Sequence, residues 1–175
     1  MKLKLSLKWP RTGWEVLEHS ARTAVAVTIS LMVARAVGLP EAYWAPISAL
    51  VVTQSTLGAA WTISRQRLVG TAVGATLGAL LTPHLGSSAV VFGCSIFGIG
   101  IIFAILHLDR AAYRFAGITL AIVMLVARAK PVWVTAAHRF FEVSVGIGIA
   151  LALTAVWPGH ERPKREHASI AERQL

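Results

Sequence analysis

The chain has 175 residues, of which 55% are hydrophobic and only 14% charged, with a mean hydropathy of +0.64. Soluble domains carry about 25% charged residues, so the polar surface needed to cover a globule of this size is missing. The formal net charge is nevertheless +9, from 17 Lys and Arg against 8 Asp and Glu. Such a composition leaves little room for the soluble basic face of a nucleic-acid binder, and points to an integral membrane protein with its positive charge in the loops. The single Cys94 lies in an apolar run, which excludes an intrachain disulfide and a cysteine-based metal cluster; a thiol buried there is not expected to pair between chains.

Residues 1–19 form a basic tail, in which Lys2, Lys4 and Lys8 alternate with Leu3, Leu5 and Leu7; no apolar run of signal-peptide type precedes Pro10. Six apolar stretches then fill residues 20–157, at Ser20–Leu39, Tyr43–Ala60, Gln66–Pro83, Ser87–Leu106, Arg110–Arg128 and Val132–Trp157. Most have the ~20 residues that cross a ~30 Å hydrocarbon core as a helix, and their unbroken apolar character excludes the alternating pattern of a barrel. No stretch has a polar face of the kind a soluble bundle needs. The fold class expected is an all-α polytopic bundle of six transmembrane helices, closed by a polar tail over residues 158–175.

With both termini on one side, that side collects thirteen of the 17 basic residues, and the opposite side only Arg128 and Lys130. The positive-inside rule then puts both termini in the cytoplasm of a bacterial-type inner membrane. Trp9, Trp14, Trp61 and Trp157 fall at the inner ends of the stretches and Trp44 and Trp133 at the outer ends, as an aromatic belt requires.

The third stretch contains Gly70, Gly74 and Gly78, and the sixth Gly146, Ala150 and Thr154, at the four-residue spacing that lets helix backbones approach closely in lipid. Close packing within one chain is the simpler expectation.

The chemistry-bearing residues are few. The six histidines fall at different loops or depths, no metal-ligand spacing occurs, and the glycines lack the Lys-Ser/Thr of a phosphate loop. No catalytic activity, metal or cofactor is expected. Charges inside the membrane carry more information, since each costs ~2.5–3.5 kcal/mol at a helix centre even on insertion scales. Arg139 lies ~10 Å and Glu142 ~15 Å into the sixth stretch, on one helical face. The pair either neutralises itself and locks that helix to its neighbours, or Arg139 attracts a carboxylate while Glu142 takes a proton. In the second stretch, Thr53, Gln54, Ser55 and Thr56 are four consecutive polar residues. They serve interhelical hydrogen bonds, or mark a local unwinding whose backbone dipoles bind an anion.

The second stretch and its exit read Tyr43-Trp44-Ala45-Pro46-Ile47-Ser48-Ala49, then Gln54, Leu57-Gly58 and Arg67-Leu68-Val69-Gly70-Thr71. This string resembles the membrane half of the fusaric acid resistance protein family, also called the aromatic acid exporter family. Arg22-Thr23-Ala24-Val25-Ala26 and Arg139-Phe140-Phe141-Glu142-Val143 fit as well, so the resemblance runs from about Leu17 to Pro158. It implies a six-helix unit associated with export of organic, often aromatic, carboxylates; related plant malate channels use such a unit as a dimer. Many full-size exporters of the family join two halves through a large cytoplasmic domain, whereas this chain has one half, so a homo-oligomer is expected, most simply a dimer. Arg22 and Arg67 match the family's motif positions and, with Arg65, are expected at the inner boundary as a cationic vestibule for anions.

The expected function is export of a small organic anion, with Arg139, Thr53, Gln54, Arg22, Arg65 and Arg67 as substrate contacts and Glu142 as proton-coupling group. The expected partners are lipid and a second copy, not nucleic acid. A gated anion channel and a non-transporting subunit of an envelope complex are the alternatives.

Overall fold

The computed structural model describes residues 12–53, 56–126 and 131–157. The two tails, Gln54, Ser55, Arg128 and Lys130 lie outside the described residues. Six α-helices follow in order: α1 (Thr12–Ala36), α2 (Trp44–Val52), α3 (Leu57–Leu85), α4 (Ala89–Ile105), α5 (Arg110–Ala121) and α6 (Val132–Val156). A wider π-type turn continues α5 over Ile122–Val126.

The helices are not six equal spans. Within the described residues, three are long and apolar enough to cross a membrane, namely Val16–Ala36 of α1, the 29 residues of α3 and the 25 of α6, while α4 is a shorter apolar helix. The largest departure from the sequence reading is at α2, which has 9 residues, ~14 Å of helix. That helix ends where the Thr53 backbone turns to extended values (ψ 106°), while the Thr53 N–H and hydroxyl both donate to the Ala49 carbonyl, at 2.8 and 2.7 Å. Thr56 then caps α3 by accepting the Ala59 N–H at 3.2 Å. The Thr56 bond satisfies a donor that the first turn of α3 leaves free, whereas the Thr53 bond is of a kind that Ser30 and Thr154 also make inside their helices. α2 thus ends before Thr53 and α3 begins after Thr56, and residues Trp61 to Arg65, expected as a connection, are internal to α3. α1 ends at Gly38, whose φ of +76° lets the Gly38 and Leu39 N–H groups return to the Arg35 and Ala34 carbonyls.

α3 and α6 form an antiparallel central pair, with Ala75 clustered with Ala136 and Ala79 near Val132. α5 lies along α3 and α2 along α6, both through glycine. A Cβ on Gly74 would run into the Ala116 carbonyl, and one on Gly146 into the Ala45 carbonyl; Gly70 and Gly78 meet Ala112 and Val123 in the same way. Only glycine permits these approaches.

These contacts reveal an internal repeat invisible to stretch-counting. Trp44-Ala45-Pro46-Ile47-Ser48 of α2 corresponds to Phe115-Ala116-Gly117-Ile118-Thr119 of α5, and Arg67…Gly70…Gly74 of α3 corresponds to Arg139…Glu142…Gly146 of α6. Each alanine packs on the other unit's glycine, and each arginine stands over the other unit's aromatic ring. Because α3 and α6 run oppositely, α1–α3 and α4–α6 are an inverted pair, the plan that many transporters use to build a site at the repeat interface.

Cys94 is on the outer surface of α4 and exposed, not buried as its apolar surroundings suggested. α5 likewise departs from the all-apolar expectation: Arg110 and Arg114 are exposed on one side, and Ala112, Ala116 and Leu120 are buried on the other.

Candidate functional site

The site lies where α3 and α6 meet. Arg139 projects from α6 with 2% exposure, and its guanidinium carbon is 3.2 Å from the centre of the Trp44 ring. Its Nη1 is 3.6 Å from Glu142 Oε2, the i and i+3 pair anticipated from the sequence. Glu142, 1% exposed, uses Oε1 to accept the Glu41 backbone N–H at 3.0 Å. Glu41 in turn accepts from the Trp44 indole N–H at 2.9 Å and from the Tyr43 hydroxyl at 3.2 Å. A closed ring thus joins the α1–α2 connection to the middle of α6, with Arg139 held between an aromatic face and a carboxylate.

Arg67 is its counterpart on α3. The guanidinium is 5.0 Å above the Phe115 ring, and Nη2 donates to the Ser48 hydroxyl at 3.2 Å. Its Nε has no hydrogen-bond partner among the described residues, and no acidic side chain pairs with it there. The reason lies in the repeat. Where α6 carries Glu142, α3 carries Gly70, packed against the α5 backbone. Of the two guanidiniums at the site only Arg139 has a carboxylate partner among the described residues, so the Arg67 charge is uncompensated there, in a setting where an unpaired charge is costly. Both arginines face a void of about 10 Å³ lined by Trp44, Thr71, Phe115, Ile118, Thr119 and Val143 as well. That is room for a single water and too small for an organic anion.

The remaining expected site residues are elsewhere. Arg22 is buried where α1 meets the end of α6, donating to the Trp157 carbonyl at 2.9 Å; Trp157 also donates its indole N–H to Glu18 at 3.0 Å. Arg65 is exposed on α3. The expected vestibule of Arg22, Arg65 and Arg67 is therefore not assembled: one clasps a helix end, one faces outward, and Arg67 is internal because α3 begins earlier than expected. Thr53 is buried and spends its hydroxyl on its own helix, and Gln54 lies outside the described residues. Trp44, expected as an outer-interface anchor, is the platform for Arg139. The sequence reading places Ser48 among the intramembrane polar residues but misses Glu41, Phe115 and Thr119; for Phe115 and Thr119 the likeness of Trp-Ala-Pro-Ile-Ser to Phe-Ala-Gly-Ile-Thr carried the signal.

A profile of fusaric acid resistance protein-like sequences matches residues 26–153, which include both arginines, both aromatic platforms and Glu142. The chain belongs to the fusaric acid resistance protein-like family. Within that family it is 32% identical over 158 residues to the uncharacterized transporter YdhK of Escherichia coli (strain K12), a match covering 81% of this chain and 22% of the relative. YdhK of Salmonella typhimurium (strain LT2) is 32% identical over 160 residues, covering 84% of this chain and 24% of its own length. This chain therefore spans about a quarter or less of these curated family relatives. No solved structure matches this family member.

Proposed function

We propose that the chain is the membrane-spanning unit of an exporter of small organic anions, with Arg67 and Arg139 as the anion contacts at the repeat interface. The observation that carries this reading is the pair of buried guanidiniums laid on aromatic rings around a common void, of which only Arg139 has a carboxylate partner among the described residues. Buried cations over ring faces suit a carboxylate attached to a flat apolar body, and relatives named as uncharacterized transporters support a transport role. Since the void is too small for it, the cargo reaches the arginines when α2 and α5 part from α3 and α6. A cargo carboxylate that competes for Arg139 releases Glu142 from its ion pair, and a lone buried carboxylate then takes up a proton; this makes Glu142 the coupling group. The distribution of Lys and Arg supports an inner-membrane orientation with cytoplasmic termini, and the working unit is a homodimer.

The test is flux through purified protein in liposomes under separately imposed pH and voltage gradients, with benzoate and succinate as probes. Benzoate efflux accelerated by acid on the cargo side is the expected result, because cargo and the Glu142 proton occupy the site together, and Glu142→Gln abolishes the pH response. Efflux that follows voltage alone makes the protein an anion channel. Absence of flux alongside co-purification of a fixed partner makes it a non-transporting subunit. Crosslinking in native membranes tests the dimer, which a strictly monomeric band excludes.

A further inference from the structure

We infer that the pocket at the α4–α5 turn is the docking vestibule where the cargo anion first binds, a role that rests on the transport reading above. The pocket measures about 790 Å³, and its walls include Phe103, His107, Leu108, Arg110, Tyr113 and Arg114. Arg110 and Arg114, one helical turn apart on α5, are exposed and have no acidic partner among the described residues. Asp109, the acidic residue of that turn, is exposed and does not line the pocket. His107 is held at a φ of +51°, a left-handed conformation that non-glycine residues adopt at a cost, with ring Nδ1 3.0 Å from the Ile105 carbonyl oxygen. Tyr113 packs edge-on against Phe103 at 6.1 Å. Cationic groups therefore border an apolar wall, which fits a carboxylate on a flat or apolar body.

Position along the fold sets the pocket beside the central site. Arg114 precedes Phe115, the ring beneath Arg67, so the pocket and the central void lie at one level of α5, on different faces of that helix. The inverted repeat relates this turn to the α1–α2 connection, where Glu41 and Glu142 gather instead. One approach to the arginines is thus cationic and the other carboxylate-lined, so an anion is drawn in at the α4–α5 turn and repelled at the other side.

The experiment compares wild-type protein with Arg110→Ala/Arg114→Ala and Arg110→Lys/Arg114→Lys, reconstituted in phosphatidylcholine vesicles with benzoate as probe. The alanine pair raises the KM for benzoate about tenfold at low salt and changes the maximal rate far less; the lysine pair restores KM, and added salt raises the wild-type KM. Equilibrium binding of benzoate to detergent-solubilised protein follows the same order without requiring transport. Arg110/Arg114-dependent binding with no flux in wild-type protein keeps the vestibule and removes the transport reading. Flux with an unchanged KM in the alanine pair overturns the vestibule and leaves transport standing. An effect of the alanine pair confined to phosphatidylglycerol vesicles overturns it too, by making the pocket a lipid-headgroup seat.

Discussion

Arg139 rests its guanidinium 3.2 Å from the centre of the Trp44 ring of α2 while its Nη1 pairs with Glu142 of its own helix at 3.6 Å, so one buried cation is compensated electrostatically from two sides although its Nε and Nη1 have no hydrogen-bond partner among the described residues. Removing the carboxylate leaves that charge uncompensated. Loss of one partner of a buried pair costs about 3–5 kcal/mol. Glu142→Ala should show that full loss in thermal unfolding in detergent, whereas Glu142→Gln keeps an acceptor for the Glu41 N–H and loses less. Combining Arg139→Gln with Glu142→Gln should recover part of the deficit. Strictly additive losses in that double-mutant cycle would mean the pair has no coupling.

Arg67 gives the opposite sign. With no acidic partner among the described residues, its burial is a standing cost, and an apolar residue of similar length removes that cost. Arg67→Leu should leave the unfolding temperature unchanged or higher, and should drop benzoate flux below about a tenth of wild type, as loss of one charge-assisted contact of ~1.5–3 kcal/mol requires. A lowered unfolding temperature with flux retained would assign Arg67 a structural role instead.

The glycine contacts allow an internal control on one helix. Gly146 faces the Ala45 carbonyl, whereas Gly148, two residues on, has nothing near the position of an added Cβ. Gly146→Ala and Gly74→Ala should each destabilise by about 1–3 kcal/mol, the range for forcing a group into a packed interface. Gly148→Ala should be neutral, or stabilising by up to ~1 kcal/mol through helix propensity. Equal effects at Gly146 and Gly148 would show that the close α2–α6 approach is wrong.

Arg22 bonds the carbonyl that ends α6. Arg22→Ala should speed amide hydrogen exchange in the last turn of α6 and leave exchange around Ala75 and Ala136 unchanged. Uniform acceleration across α3 and α6 would instead mark Arg22 as part of the global core.

Composition and apolar run length made the helical membrane class legible, and intramembrane charge singled out Arg139 and Glu142 as a buried pair. Helix boundaries were less legible at α2, because hydropathy does not register the extended backbone at Thr53 or the cap that Thr56 places on α3. That single shift carried Arg67 from an expected boundary to the interior, and dissolved the expected grouping with Arg22 and Arg65. Glu41 was hidden for a different reason. It sits in a connection, and only the fold reveals that the connection reaches the middle of α6. The repeat was present in the letters, but two short segments with substitutions such as Pro46 against Gly117 and Gly70 against Glu142 are convincing only once their glycine and arginine contacts coincide.

α1 and α4 occupy matching places in the two repeat units, yet they are anchored unequally. α1 packs on α2 and α6, with Arg22 and Trp157 fastening it, whereas α4 rests chiefly on α5 and leaves Phe97, Ile101 and Ile105 turned outward. The bundle therefore has a stiff side and a compliant one. Displacement meets least resistance at α4 alone, since α5 is held against α3 through Gly70 and Gly74, so a clamp tying α4 to α5 would stiffen that side without touching either arginine.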